Sequence, residues 1–101
     1  MTQFALYPMP GSRSGYVVDI QSRLLDEMST RVVIPLVPRQ IAPYAPAKTL
    51  NPVIIIDGAE HMLMTQNIAT VPLARLRTPA GTLASHRDEI IRAIDTLLSG
   101  L

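Results

Sequence analysis

Up to residue 81 the apolar residues of this chain come in short, β-branched runs that Pro and Gly cut off; only after that do they take up a helical spacing. Val32, Val33, Ile34, Leu36 and Val37 make the longest run, interrupted by Pro35, and Val53 to Ile56 make the next. Such runs, bounded by turn formers, specify strands, because branched side chains fit a pleated surface and are too few in sequence to line a helix face. The pattern predicts a mainly β (α+β) domain: an antiparallel sheet closed by one C-terminal α-helix, with residues 1–101 as a single domain.

Taken along the chain, Phe4 to Tyr7 reads as a strand ended by Pro8 and the turn-rich segment from Pro8 to Gly15. Tyr16 to Ile20 pairs back on it. Gln21 to Ser29 reads as a short helical turn or an irregular excursion. Arg31 to Val37 is a buried strand in which Pro35 must sit where the ladder needs no N–H. Pro38 to Lys48, with Pro43 and Pro46, is a loop. Pro52 to Ile56 and His61 to Met64 form a hairpin around Asp57, Gly58, Ala59 and Glu60, with Gly58 supplying a positive φ. Thr70 to Leu73 adds a strand, and Thr78 to Gly81 a turn.

The last segment is helical. Ser85 fits an N-cap, with Asp88 three residues on and His86 in the first helical position. At about 100° per residue, Ile90, Ile91, Ile94, Leu97, Leu98 and Leu101 fall within an arc of about 120°. Ser99 points almost opposite to that stripe, toward water or a partner. Gly100 suits a helix end. Leu101 returns to the apolar face and is packed either on its own sheet or by another chain.

Composition excludes several functions. With 48% hydrophobic and 17% charged residues the chain is an ordered globular protein. Nine basic against eight acidic residues, without a basic cluster, argue against direct nucleic-acid binding. The absence of cysteine removes disulfides, thiolate metal sites and thiol catalysis. No apolar stretch is long enough to span a bilayer and the N-terminus has no signal-peptide pattern, which predicts a soluble, cytoplasmic protein.

Catalytic chemistry finds little support. His61 and His86 have no metal-ligand spacing to Asp or Glu, and Ser22, His86 and Asp19 make a triad only on paper, without a nucleophile elbow. Gly11 to Gly15 lacks the Lys-Ser/Thr end of a phosphate loop and precedes no helix. Met62 and Met64 alternate on a strand and belong to a core or an interface. Arg13 and Arg31, read as exposed, fit solvated surface roles. No cofactor or metal is implied.

Several short motifs in register carry a resemblance: Val18, Asp19, Ile20, Gln21 and Ser22; Val33, Ile34, Pro35 and Leu36; Leu50, Asn51, Pro52 and Val53; Val71 and Pro72; Ser85, His86 and Arg87. In this order the chain resembles the CcdB family of toxin–antitoxin toxins from Gln3 nearly to its end. The resemblance implies an SH3-like barrel with a C-terminal helix, a homodimer, and a type II toxin that poisons DNA gyrase by binding its A subunit, without performing chemistry. It also implies a partly disordered antitoxin that wraps the toxin and removes it from gyrase.

By family position, the target-binding residues are Ser99, Gly100 and Leu101, and the antitoxin-binding residues are Leu24, Leu25, Thr96 and Leu98. The family ends in Trp-Gly and an aliphatic residue; Gly100 and Leu101 keep that pattern, whereas Ser99 replaces the Trp that would stack on the target. Two alternatives follow. One is a same-fold ribonuclease toxin using Arg13 or Arg31 with His61, and the other is a non-toxic dimer that titrates antitoxin.

Overall fold

The computed structural model describes residues 3–11 and 14–100. Seven strands form one antiparallel sheet: β1 (Ala5–Pro8), β2 (Tyr16–Asp19), β3 (Thr30–Pro38), β4 (Val53–Ile56), β5 (Ala59–Leu63), β6 (Ala69–Pro72) and β7 (Gly81–Thr82), followed by helix α1 (Arg87–Ser99). The sheet order is β4-β5-β3-β2-β1-β7. The long β3 strand organises the rest. One of its edges pairs with β2, over Val33 to Leu36, while the other pairs first with β6, over Thr30 to Val33, and then with β5, over Leu36 to Pro38. One strand thus serves two partners on one side, and the sheet curls.

Pro35 sits at the handover. On that edge β6 pairing stops at Val33 and β5 pairing starts at Leu36, so the missing N–H interrupts no ladder. Its carbonyl still accepts the Met64 N–H at 2.8 Å. The expected requirement on Pro35 is met.

Both faces of β3 are covered, which is why its sequence reads as almost continuously apolar rather than alternating. Ile34 and Leu36 join Leu6, Val18, Ile54 and Leu63 under α1 in the main core. On the other face Val33 packs with Ala5, Tyr7, Val17 and Leu76 in a second, smaller core. Met62 and Met64 are buried, as packing residues.

Several boundaries differ from the sequence expectation. Phe4 lies outside β1 with φ 69°, although its side chain is in the core. The hairpin turn is only Asp57-Gly58, with φ of 51° and 78°, the pair of positive values that a tight two-residue hairpin requires. Ala59 and Glu60 therefore belong to β5. Leu73 leaves the sixth strand for a 3₁₀ turn, and Gly81 is drawn from a turn into β7 by pairing with Leu6. Gly15, at φ 110°, lies so close to the Leu36 carbonyl oxygen that a β-carbon would not fit.

The helix start is also corrected. Ser85 lies in a 3₁₀ turn, Ala84–His86, and His86 rather than Ser85 occupies the N-cap, its Nδ1 2.8 Å from Glu89 Oε1. The turn before the helix has its own anchor: the Ala84 N–H donates to Thr82 Oγ1. The buried face is turned toward Ala93, which together with Ile90 is fully enclosed, and Ile91 and Ile94 are only partly buried. Small Ala93 lets the helix approach the sheet closely, and the rotation leaves Leu98 77% exposed, outside the core in which the stripe would place it.

Candidate functional surface

Two exposed surfaces carry the residues that the sequence nominates. The first is the excursion between β2 and β3. Ser22 Oγ accepts the Leu24 N–H at 3.2 Å and opens a 3₁₀ turn, Arg23–Leu25. Successive bonds from Leu25, Asp26 and Met28 to Ser22, Arg23 and Leu25 carbonyls continue the winding. The turn presents Leu24, 94% exposed, with Leu25 and Met28 each about half exposed. Three apolar side chains facing water on a hydrogen-bonded turn form a surface suited to another molecule.

Under this excursion lies a polar floor. Arg31 is 1% exposed, and its guanidinium donates to the carbonyls of Met28 (2.8 Å), Thr30 (2.9 Å) and Asp26 (2.9 Å). The buried Asp19 carboxylate lies 3.6 Å from Arg31 Nε and accepts the Gln21 N–H at 2.9 Å. Gln21 in turn donates to the Leu25 carbonyl at 3.0 Å and accepts the Val32 N–H at 3.1 Å. Burial raises the Asp19 carboxyl above its usual range, outweighing the Gln21 N–H and the Arg31 charge, which both favour ionisation.

The second surface is the end of α1. Leu98 is largely exposed, Thr96 is partly buried and donates to the Arg92 carbonyl at 2.9 Å, and Ser99 is exposed with its hydroxyl donated to Asp95 at 2.7 Å. Gly100 takes the left-handed cap conformation, φ 74°, and its N–H closes on Thr96 at 2.9 Å. Leu101 lies outside the described residues. Thr96, Leu98, Ser99 and Gly100 thus share one helical turn, while Leu24 and Leu25 sit on a separate element. At the free edge of the sheet, Ile55 of β4 is a further exposed apolar side chain.

The nuclease candidates do not assemble. Arg31, read from sequence as an exposed cation, is buried with its donors aimed at loop carbonyls; a strand of branched residues places it beneath the excursion instead of in water. His61 is also buried, with Nδ1 2.9 Å from the Ala59 carbonyl and its ring edge-on to Tyr16 at 5.3 Å. Arg13 lies outside the described residues. No group of three or more His, Asp or Glu placed to hold a metal occurs among the described residues. Sequence reasoning missed the Arg31–Asp19–Gln21 floor. The available signal was register: Asp19 and Arg31 occupy the same face of neighbouring strands as buried Val17 and Val33.

The class is thus a small curled antiparallel barrel with one packed helix, exposing apolar turns. Comparison with solved structures agrees on the fold: the chain is similar to the Mycobacterium tuberculosis toxin MazF-mt6, with a TM-score of 0.71 over 91% of this chain and 93% of that one, at 13% identity. The sequence matches the family model described as CcdB protein over residues 3–100. The chain belongs to the CcdB family, and so to the toxins of toxin–antitoxin pairs. No helix among the described residues is long and apolar enough to cross a membrane.

Proposed function

We propose that this protein is the toxin of a type II pair that acts as a binding protein and not as an enzyme, forms a homodimer in the cytoplasm, and is neutralised by a cognate antitoxin. The antitoxin lies over Leu24, Leu25, Thr96 and Leu98, and the A subunit of DNA gyrase is engaged through Ser99, Gly100 and Leu101. The observation that carries this reading is the exposure of Leu24, Leu25 and Leu98 on hydrogen-bonded elements. A disordered partner segment gains affinity by covering such separated apolar points along one path. The burial of Arg31 and His61 weighs against the ribonuclease alternative.

Ser99 favours a second reading for the target step. Its hydroxyl is donated to its own helix, and it offers no aromatic face, so a dimer that titrates antitoxin while poisoning gyrase weakly fits this residue. The test of the partner surface is capture of the antitoxin encoded beside this gene, measured by calorimetry. Leu24→Ser and Leu98→Ser should each weaken it by about tenfold or more, as loss of an apolar anchor does. Undiminished binding by both variants would refute the surface.

A further inference from the structure

A guanidinium removed from water is costly, and replacing a buried ion pair by apolar residues of similar volume is often neutral or stabilising. Arg31 is the largest fully buried side chain of the described residues, so its charge calls for a use. Packing alone does not supply one, and its counter-ion is not in close contact. Asp19 Oδ2 stands 3.6 Å from Nε, Asp26 Oδ1 stands 4.0 Å from Nη2, and Nε has no hydrogen-bond partner. What the guanidinium does hold is backbone. Its terminal nitrogens gather the carbonyls of Asp26 and Met28, from the excursion that presents Leu24, Leu25 and Met28 to solvent, and of Thr30, where that excursion enters β3.

We infer that Arg31 is a positioning residue that pre-orders the Leu24–Met28 surface for its protein partner, with Asp19 and Gln21 as its support. The inference rests on the partner surface proposed above and deepens it. Arginine suits the task because its planar fork reaches several carbonyls at once and never loses its charge. The 3₁₀ turn alone is short and weakly bonded. With the carbonyls fixed, the three apolar side chains are held out without collapsing onto the sheet, and the partner need not order the loop as it binds. If the binding-competent loop is only a fraction of the population, apparent affinity falls by that fraction.

The experiment follows amide exchange and antitoxin capture together. In the unaltered protein the amides of Leu25, Asp26 and Met28 should be protected; exchange at the unprotected rate would overturn the inference. Arg31→Lys keeps the charge but loses the fork. It should speed exchange of those amides by about tenfold or more, leave Val18, Ile34 and Leu36 nearly unchanged, and weaken capture of the adjacent antitoxin by roughly ten- to hundredfold. If core and loop amides loosen together, or if capture weakens while the loop stays protected, Arg31 is an ordinary structural residue and the inference fails. Asp19→Asn, which keeps the shape of the side chain, serves if Arg31→Lys does not fold, and should show the same loop-selective pattern. Leu24→Ser in the otherwise unaltered protein separates the two claims. Unchanged capture by that variant removes the Leu24–Met28 part of the partner surface, and the loop amides still report independently on the role of Arg31.

Discussion

Position 99 offers the sharpest test of how this surface meets a target. Ser99 lies nine residues from the fully buried Ile90, a rotation of about 180° at about 100° per residue, so it faces directly away from the sheet. Ser99→Trp removes one exposed hydroxyl bond to Asp95 and adds a large aromatic at an exposed position. Serine and tryptophan have similar helix propensities, so folding stability should change by less than about 0.5 kcal/mol, as for other surface substitutions. An aromatic anchor seated on a partner is commonly worth about 2 kcal/mol, and a stacked cation contributes to it. That amounts to roughly 30-fold in affinity. The assay is gyrase-dependent formation of linear DNA, titrated with the native protein beside Ser99→Trp, with a urea unfolding curve for each. The expected result is equal unfolding midpoints and linear DNA appearing at roughly 30-fold lower concentration of the variant. Equal trapping by the two proteins would show that the aromatic adds nothing to this surface, and the reasoning would be refuted.

Two further outcomes follow from backbone and charge. Gly15→Ala should destabilise the fold by about 2 kcal/mol or more, because φ 110° and the Leu36 carbonyl oxygen both oppose a β-carbon; equilibrium unfolding in urea measures it, and a change below about 0.5 kcal/mol would contradict the geometry. Asp19 binds a proton more readily in the folded chain than at its ordinary value of 3.8. Its ionised form therefore opposes folding, a cost present above the folded pKa and relieved as pH falls through it. Between about pH 7 and about pH 4 the native protein should gain stability relative to Asp19→Asn, and unfolding curves that stay parallel across that range would deny the shift.

The strands were legible because their cause is local. Val53 to Ile56, the positive φ at Gly58, and the run around Pro35 each specify their conformation within a few residues. What escaped was set by distant partners. Gly81 and Thr82 become a strand only because Leu6 and Ala5 lie beside them. Leu98 falls within the apolar stripe, yet the fit of Ala93 against the sheet decides which part of the stripe is covered. Arg31 was read as exposed because charge predicts exposure in isolation; its burial depends on Asp19 across the sheet, on two carbonyls of a loop with no regular spacing and on the Thr30 carbonyl at the start of β3. Of the candidate surface, the exposure of Ser99 was legible from the helical spacing, Leu24 and Leu25 were nominated only by family position, and the floor beneath them was not legible.

That division bears on how differently the fold and the exposed surface of this chain are constrained. The motif residues that carry the resemblance are largely joints of the fold. Asp19 and Gln21 form the floor of the β2–β3 excursion, and Pro35 sits where β3 changes partners. Buried Asn51 ties the loop before β4 to the end of β5 and beyond, through the Ala47 N–H, the Leu63 carbonyl and Gln66. Replacing Asp19, Gln21 or Asn51 by an apolar residue leaves polar groups beneath the surface without partners, a large penalty for a domain of this size. Leu24, Leu98 and Ser99 answer to no such constraint: the fold tolerates many side chains at largely exposed positions. A change there should alter the proposed partner contacts while the barrel stands. Ser99, in place of the aromatic that the family resemblance implies, thus bears on the proposed gyrase contact and not on the fold, and the partner specificity proposed here rests on the exposed turns.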